Sequence, residues 1–164
     1  MNYIGIDPGK NGGIAVLHTS GMVELFVFPK LGLDIDLHAL WKIVNALPKD
    51  SLATLESVHS IQGTGAKSNF EFGGTFFLLQ MALVAANLPY QLVTPKTWQK
   101  IMFEGLTPIL SKDGTRDTKS MALKAMTSLY PDVDATPTAR STKSHTGLVD
   151  ALLLAAYGKR SNAR

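Results

Sequence analysis

The sequence contains no cysteine. That removes disulfide scaffolds, thiolate metal sites and thiol nucleophiles together, and leaves a reducing compartment as the simplest setting. Long apolar runs are also missing. The longest stretch, residues 75–88, is broken by Gln80 and Asn87 and falls short of the ~20 residues a membrane span requires, so a soluble protein with no membrane partner is expected. A signal or transit peptide is not expected either, trimming aside, because Met1 runs directly into the strand-like Asn2-Tyr-Ile-Gly-Ile-Asp7. No internal repeat is found, and the one compositionally biased stretch is the Ser/Thr-rich segment 136–146.

The chain is 164 residues long and 45% apolar. That is enough for one proper core and too little for two comfortable domains, so residues 1–164 are expected to form a single domain. The formal charge is only +3, but it is unevenly spread: residues 1–94 carry 5 Lys/Arg against 7 Asp/Glu, and residues 95–164 carry 11 against 6. A basic C-terminal half suits contact with a polyanion.

Hydrophobic patterning predicts an α/β fold. Three strands, at 3–7, 13–18 and 23–28, are separated by turns short enough for hairpins, which implies an antiparallel opening. Residues 34–47 have helical spacing, with Leu37, Leu40, Trp41, Val44 and Leu47 on one stripe and Asp34 able to cap it. A strand at 52–58, a Gly-rich polar loop at 60–69, a long apolar helix to about residue 87 and a strand at 90–93 complete a β-β-β-α-β-α-β order. Beyond Pro95 the pattern is helical, with an exposed, mobile loop expected at 105–116 and helices at 118–129 and about 147–157.

Three acids sit in settings that need explanation. Asp7 ends the first strand before Pro8-Gly9; Glu56 lies inside Leu52-Ala-Thr-Leu-Glu-Ser-Val58; Asp150 is lodged in Leu148-Val-Asp-Ala-Leu-Leu-Leu-Ala-Ala156. A buried ionised carboxylate costs several kcal/mol unless it is paired or bound to metal. Separately, each acid has an ordinary reading as a turn cap, an ion-pair partner or a helix N-terminal charge. Together they are better explained by a shared divalent cation such as Mg²⁺, which is satisfied by a few carboxylate oxygens plus water and substrate phosphate. Two such ions about 4 Å apart would activate a water and steady the leaving oxygen of a phosphodiester.

Ile4-Gly-Ile-Asp-Pro-Gly9, Leu55-Glu-Ser-Val58, Thr94-Pro-Lys-Thr-Trp98 and above all His145-Thr-Gly-Leu-Val-Asp-Ala-Leu-Leu-Leu-Ala-Ala-Tyr-Gly158 occur in that order over nearly the whole chain. The ordered set resembles the RuvC-like Holliday-junction resolvases, and within them the bacteriophage and chloroplast branch. What the resemblance implies is an RNase H-like fold, with a five-stranded mixed sheet flanked by helices, and a homodimer that makes paired Mg²⁺-dependent cuts at a four-way DNA junction. Mn²⁺ would substitute for Mg²⁺, two ions would serve each active site, and no organic cofactor is implied. Asp7, Glu56 and Asp150 fall on the family's metal-binding acids. The setting implied is the cytoplasm or nucleoid, a phage-infected cell, or the chloroplast for a trimmed form.

One position departs from the pattern. Four residues before the last acid the relatives commonly carry Asp or His, on the same helix face; here the residue is Thr146, a poor metal ligand and a plausible helix cap. Either His145 supplies the missing group, or three acids suffice, or the chain is attenuated. We favour His145 as a catalytic participant that activates water.

A DNA-contacting surface is expected from Lys96, Lys119, Lys124 and Lys143, with Lys119 and Lys124 on the helix whose apolar side is Met121, Leu123, Met126 and Leu129. The segment Gln62-Gly-Thr-Gly-Ala-Lys-Ser-Asn-Phe-Glu-Phe72 combines glycines, a cation and two phenylalanines near Glu56. Gln62 and Lys67 are expected to touch bases or phosphates, and Phe70 or Phe72 to wedge the crossover open. The helix at 75–88 is apolar almost all round, which predicts burial on two sides and a dimer interface on the side away from the sheet. Three rivals remain: an RNase H-type nuclease or a transposase-like relative, a junction-binding module with weak or no cleavage, and an ATPase of the actin and sugar-kinase kind, whose phosphate loop the opening Gly-Ile-Asp-Pro-Gly also resembles. The last needs a second nucleotide-binding half for which this chain has no room.

Overall fold

The computed structural model describes residues 1–57, 65–138 and 140–162. Three strands open the chain, β1 (Asn2–Asp7), β2 (Gly13–Leu17) and β3 (Val23–Val27). They form an antiparallel meander in which Asp7 stands opposite Gly13 and Leu17 opposite Val23. A small hairpin follows, β4 (Lys30–Leu31) and β5 (Asp34–Ile35), turning through Gly32 at a φ of 65° that glycine adopts without strain. Next come α1 (Leu37–Ala46), β6 (Ser51–Glu56), α2 (Ala66–Ala85), β7 (Tyr90–Val93), α3 (Pro95–Met102), α4 (Thr118–Leu129) and α5 (Thr146–Asn162). The main sheet has five strands in the order β3-β2-β1-β6-β7, with β6 parallel to β1 and β7 parallel to β6. This is the mixed sheet that the family resemblance implies, with α1 and α2 lying on the connections into β6 and β7.

Strand alternation divides the molecule into two cores. Ile4, Ile6, Ile14, Val16, Ala53 and Leu55 turn to one face and pack under α1 and α2 against Leu40, Val44, Leu79 and Leu83. On the opposite face Ala15 joins the apolar sides of α3, α4 and α5, including Trp98, Met121, Met126 and Leu152. Helix α5 lies directly on the sheet there. A Cβ on Gly5 would stand 1.9 Å from the Ala151 carbonyl oxygen, and one on Gly147 would stand 2.3 Å from the Asn11 carbonyl oxygen. Both contacts are too close for any side chain, so glycine at these two positions fixes how near the helix backbone comes to the strands.

Several local expectations are corrected. Asp36, not Asp34, caps α1: its side chain accepts from the Ala39 amide at 3.0 Å, while Asp34 belongs to β5. The α1 stripe is narrower than predicted, because Leu40, Val44 and Leu47 are buried but Leu37 and Trp41 remain exposed. Helix α2 starts at Ala66 and so absorbs the last part of the expected loop. Strand β6 ends at Glu56 rather than continuing to residue 58. In α4 the buried strip is Met121, Ala122, Ala125 and Met126, with Leu123 and Leu129 turned outward. The 105–116 segment is largely exposed, as expected, and carries hydrogen bonds of its own: Leu110 bridges to Arg116, the Ser111 amide and hydroxyl both donate to the Thr115 carbonyl, and the Asp117 amide donates to Ile109. Among the described residues no helix is long and apolar enough to cross a membrane.

Candidate functional site

Register brings two of the acids together. Ile6 is paired with Leu55 across the parallel β1–β6 ladder, so Asp7 and Glu56 are the next residues in register, at the carboxyl ends of neighbouring strands. Neighbours in register share a face, and parity assigns that face. Gly5, two residues before Asp7, meets α5, and Thr54, two residues before Glu56, meets Gly158 of α5. Asp150 is one residue before Ala151, whose carbonyl lies over Gly5. The helix that closes on the sheet therefore carries the third acid to the other two.

Their electrostatics record the meeting. Burial pushes Asp7 up to about 6, against a hydrogen bond from the Gly9 amide at 3.0 Å that favours its charged form. Burial and then the Asp7 charge raise Glu56 to about 7, opposed by a hydrogen bond from Trp98. Asp150 goes up to about 8, through burial and then the charges of Asp7 and Glu56, with the Lys119 ammonium pulling the other way. Glu56 senses Asp7, and Asp150 senses both, which links the three electrostatically. Among the described residues no group of three or more His, Asp or Glu side chains is placed so that it could hold a metal ion as it stands. The carboxylates are desolvated neighbours that repel one another, which is the donor chemistry a hard divalent cation relieves.

Trp98 is the functional residue that sequence reasoning passed over. Thr94 caps α3 by accepting from the Thr97 amide, Pro95 fills the first turn, and one turn on the Trp98 indole is almost fully buried. Its Nε1–H donates to Glu56 Oε1 at 2.7 Å. Because β7 ends at Val93, opposite Glu56 in register, α3 begins at the sheet edge where Glu56 is displayed. The Thr94-Pro-Lys-Thr-Trp98 motif was visible in sequence; its bond to a residue 42 positions away was not.

His145 stands immediately before α5, half-buried, and its carbonyl accepts from the Leu148 and Val149 amides. Burial and then the Lys30 ammonium hold its pKa below the usual histidine value. Its Nδ1 is buried without a hydrogen-bond partner. The charge its imidazole feels is that of Lys30. Thr146 is exposed and lines, with Lys119, Ser120, Ser144 and Asp150, a cleft of about 160 Å³ between α4 and α5.

The remaining predicted contacts are mostly exposed. Lys96, Lys119, Lys124 and Lys143 are all exposed. Lys67 is exposed and pairs with Glu71 at 3.8 Å. Phe70, on the first turns of α2, is 83% exposed and Phe72 is half-buried; both line a cleft of about 490 Å³ with Leu33 and Leu37. Gln62 lies outside the described residues. The outer face of α2 shows Phe77, Met81 and Val84, each more than half exposed and spaced as one helical stripe.

No family model matches this sequence, and no curated protein matches it either. Solved structures do. The chain is similar to RuvC of Thermus thermophilus in complex with Holliday junction substrate, with a TM-score of 0.55 and 14% sequence identity over 98% of this chain and 96% of that one. It is similarly related to a second Thermus thermophilus RuvC structure, with a TM-score of 0.53 and 15% identity over the same shares of the two chains. The fold is that of RuvC, an RNase H-like α/β architecture.

Proposed function

We propose that this chain is a structure-selective endonuclease, a single RuvC-like nuclease domain that resolves four-way DNA junctions by paired metal-dependent phosphodiester cuts. The observation that carries the reading is the approach of Asp7, Glu56 and Asp150, from β1, β6 and α5, as desolvated acids in which Glu56 feels the charge of Asp7 and Asp150 feels both. The sequence motifs and the RuvC fold support it, and the motifs favour the phage and chloroplast branch.

Asp7, Glu56 and Asp150 would hold Mg²⁺, or Mn²⁺ in its place, as two ions. When bound, the metal activates water and stabilises the leaving oxygen of a phosphodiester. The chain's own residues do the rest. The Gly9 amide and the Trp98 indole fix the Asp7 and Glu56 oxygens, so both carboxylates are oriented before substrate arrives. The His145 imidazole, kept neutral by burial and Lys30, is suited to take a proton from water. Lys119 beside Asp150, together with Lys96, Lys124 and Lys143, would hold backbone phosphates. Phe70, the freer of the two phenylalanines, is the residue suited to wedge the crossover, with Gln62 and Lys67 nearby on the chain. Two copies would join through the Phe77, Met81 and Val84 stripe of α2, a homodimer that cuts two opposed strands.

A second reading has one observation in its favour. Thr146 places a hydroxyl, and no carboxylate, on the cleft beside Asp150, which suits a module that binds junctions and cuts them weakly or not at all. Labelled four-way junction, duplex and RNA–DNA hybrid, each incubated with Mg²⁺, Mn²⁺ or EDTA, separate the readings. Symmetric nicks confined to the junction and abolished by EDTA are expected. Hybrid cleavage would favour an RNase H-type activity, and tight junction binding without cuts the binding module.

A further inference from the structure

The acidic N-terminal half contributes a cationic feature of its own. Lys30, in the β4–β5 hairpin, donates its ammonium to the carbonyl oxygen of Lys10, in the turn that follows Asp7. The same turn is gripped from two other sides. Phe28 donates its amide to the Gly12 carbonyl at 3.4 Å, which ties the exit of β3 to the turn two residues before Lys30. The start of α5 is pressed against Asn11 through Gly147, two residues after His145. Lys10, Lys30 and His145 are thereby gathered around one turn, three residues from Asp7.

These groups are poorly compensated. Lys10 reaches Glu71 at 3.5 Å, but Lys67 shares that carboxylate at 3.8 Å, so one negative charge serves two ammoniums. Lys30 has its charged form disfavoured by burial and by Lys10, with only Asp34 offsetting them. The His145 Nδ1 is buried with no partner. Like charges held close by the backbone repel unless an anion enters. A phosphodiester suits Lys10 and Lys30, because its several acceptor oxygens can receive two ammoniums at once.

We infer that Lys10 and Lys30 form a phosphate clamp that holds a DNA backbone phosphate flanking the one presented to Asp7, Glu56 and Asp150. The inference rests on the nuclease reading and extends the DNA track to the N-terminal half, which the charge distribution along the sequence had left out. The C-terminal lysines would then hold the strand on one side of the acids and the clamp on the other.

Fluorescence anisotropy of a labelled four-way junction in EDTA, across KCl concentrations, tests it without cleavage. Each lost phosphate contact lowers the slope of log Kd against log salt by about 0.9, so Lys10→Gln/Lys30→Gln should lower it by about 1–2 and weaken binding on the order of tenfold. Lys10→Arg/Lys30→Arg should keep the wild-type slope. Circular dichroism checks the fold; should the double variant unfold, Lys10→Gln alone, an exposed change, should lower the slope by about 1. A wild-type slope in the folded Gln variant overturns the clamp, while wild-type protein that still cuts the junction in Mg²⁺ keeps the nuclease reading. Wild-type protein that binds no DNA overturns both.

Discussion

Replacing Trp98 by Phe isolates the bond that orients Glu56. The indole Nε1–H donates to Glu56 Oε1 at 2.7 Å and opposes the burial that pushes this acid up to about 7. A hydrogen bond to a charged group is worth about 1.5–3 kcal/mol, and ~1.4 kcal/mol is tenfold in proton affinity. Without the donor, Glu56 should bind its proton on the order of tenfold more tightly. The smaller ring also leaves a gap beside Phe103, whose ring centroid lies 5.8 Å from that of Trp98, so a stability loss of about 1–3 kcal/mol accompanies the change. Carboxyl NMR of selectively labelled protein reads the Glu56 titration directly, and calorimetry at pH 7.5 reads Mg²⁺ affinity. The titration should move alkaline and the affinity should fall, with the affinity loss shrinking as pH rises above the Glu56 titration. A Glu56 titration unmoved in folded Trp98→Phe protein would refute the reasoning.

Further outcomes follow from the same geometry. Asp7, Glu56 and Asp150 have folded pKa values of about 6, 7 and 8 against ordinary values of 3.8, 4.5 and 3.8. Acids raised on folding favour the protonated folded state, so their contribution is fullest below about pH 4 and is lost as pH rises toward 8. In EDTA, Asp150→Asn should therefore be more stable than wild type at pH 8, on the order of a few kcal/mol, and the gain should vanish near pH 4; thermal unfolding across that range checks it, and a constant difference counts against the coupling. Gly5→Ala, whose Cβ would stand 1.9 Å from the Ala151 carbonyl, should cost more than about 3 kcal/mol by lifting α5 and Asp150 from the sheet, as chemical denaturation would show. Met81→Asp on the exposed stripe of α2 should yield a mass near the 17.7 kDa chain in light scattering where wild type gives twice that; a wild-type monomer would defeat the dimer. His145→Ala should slow Mg²⁺-dependent cleavage about 10²-fold or more, and an intact rate makes the histidine a bystander.

What the sequence made legible is what local patterning encodes. Alternation gave the strands, and a charged residue inside an apolar run singled out Glu56 and Asp150 before any geometry was known. The β4–β5 hairpin escaped because two-residue strands carry no period. The α1 cap moved from Asp34 to Asp36 because both residue types can cap and only the hairpin decides which one is free to do so. The start of α2 was hidden because Gly65 caps it without a side-chain bond. Within the site, register aligned Asp7 with Glu56, but the Trp98 bond and the Lys10–Lys30–His145 gathering depend on elements far apart in sequence. Such contacts are made by packing and leave no spacing to read.

The central claim is that Asp7, Glu56 and Asp150 together form a metal-dependent cutting site for four-way junctions. Its most direct measurement maps strand breaks in an end-labelled junction incubated in Mg²⁺ with wild type, Asp7→Asn, Glu56→Gln and Asp150→Asn. Paired nicks at symmetric positions are predicted for wild type, with each amide variant still binding the junction but leaving it uncut. Undiminished cleavage by any of the three variants, or a wild-type protein that binds the junction in Mg²⁺ and leaves it intact, would contradict the account.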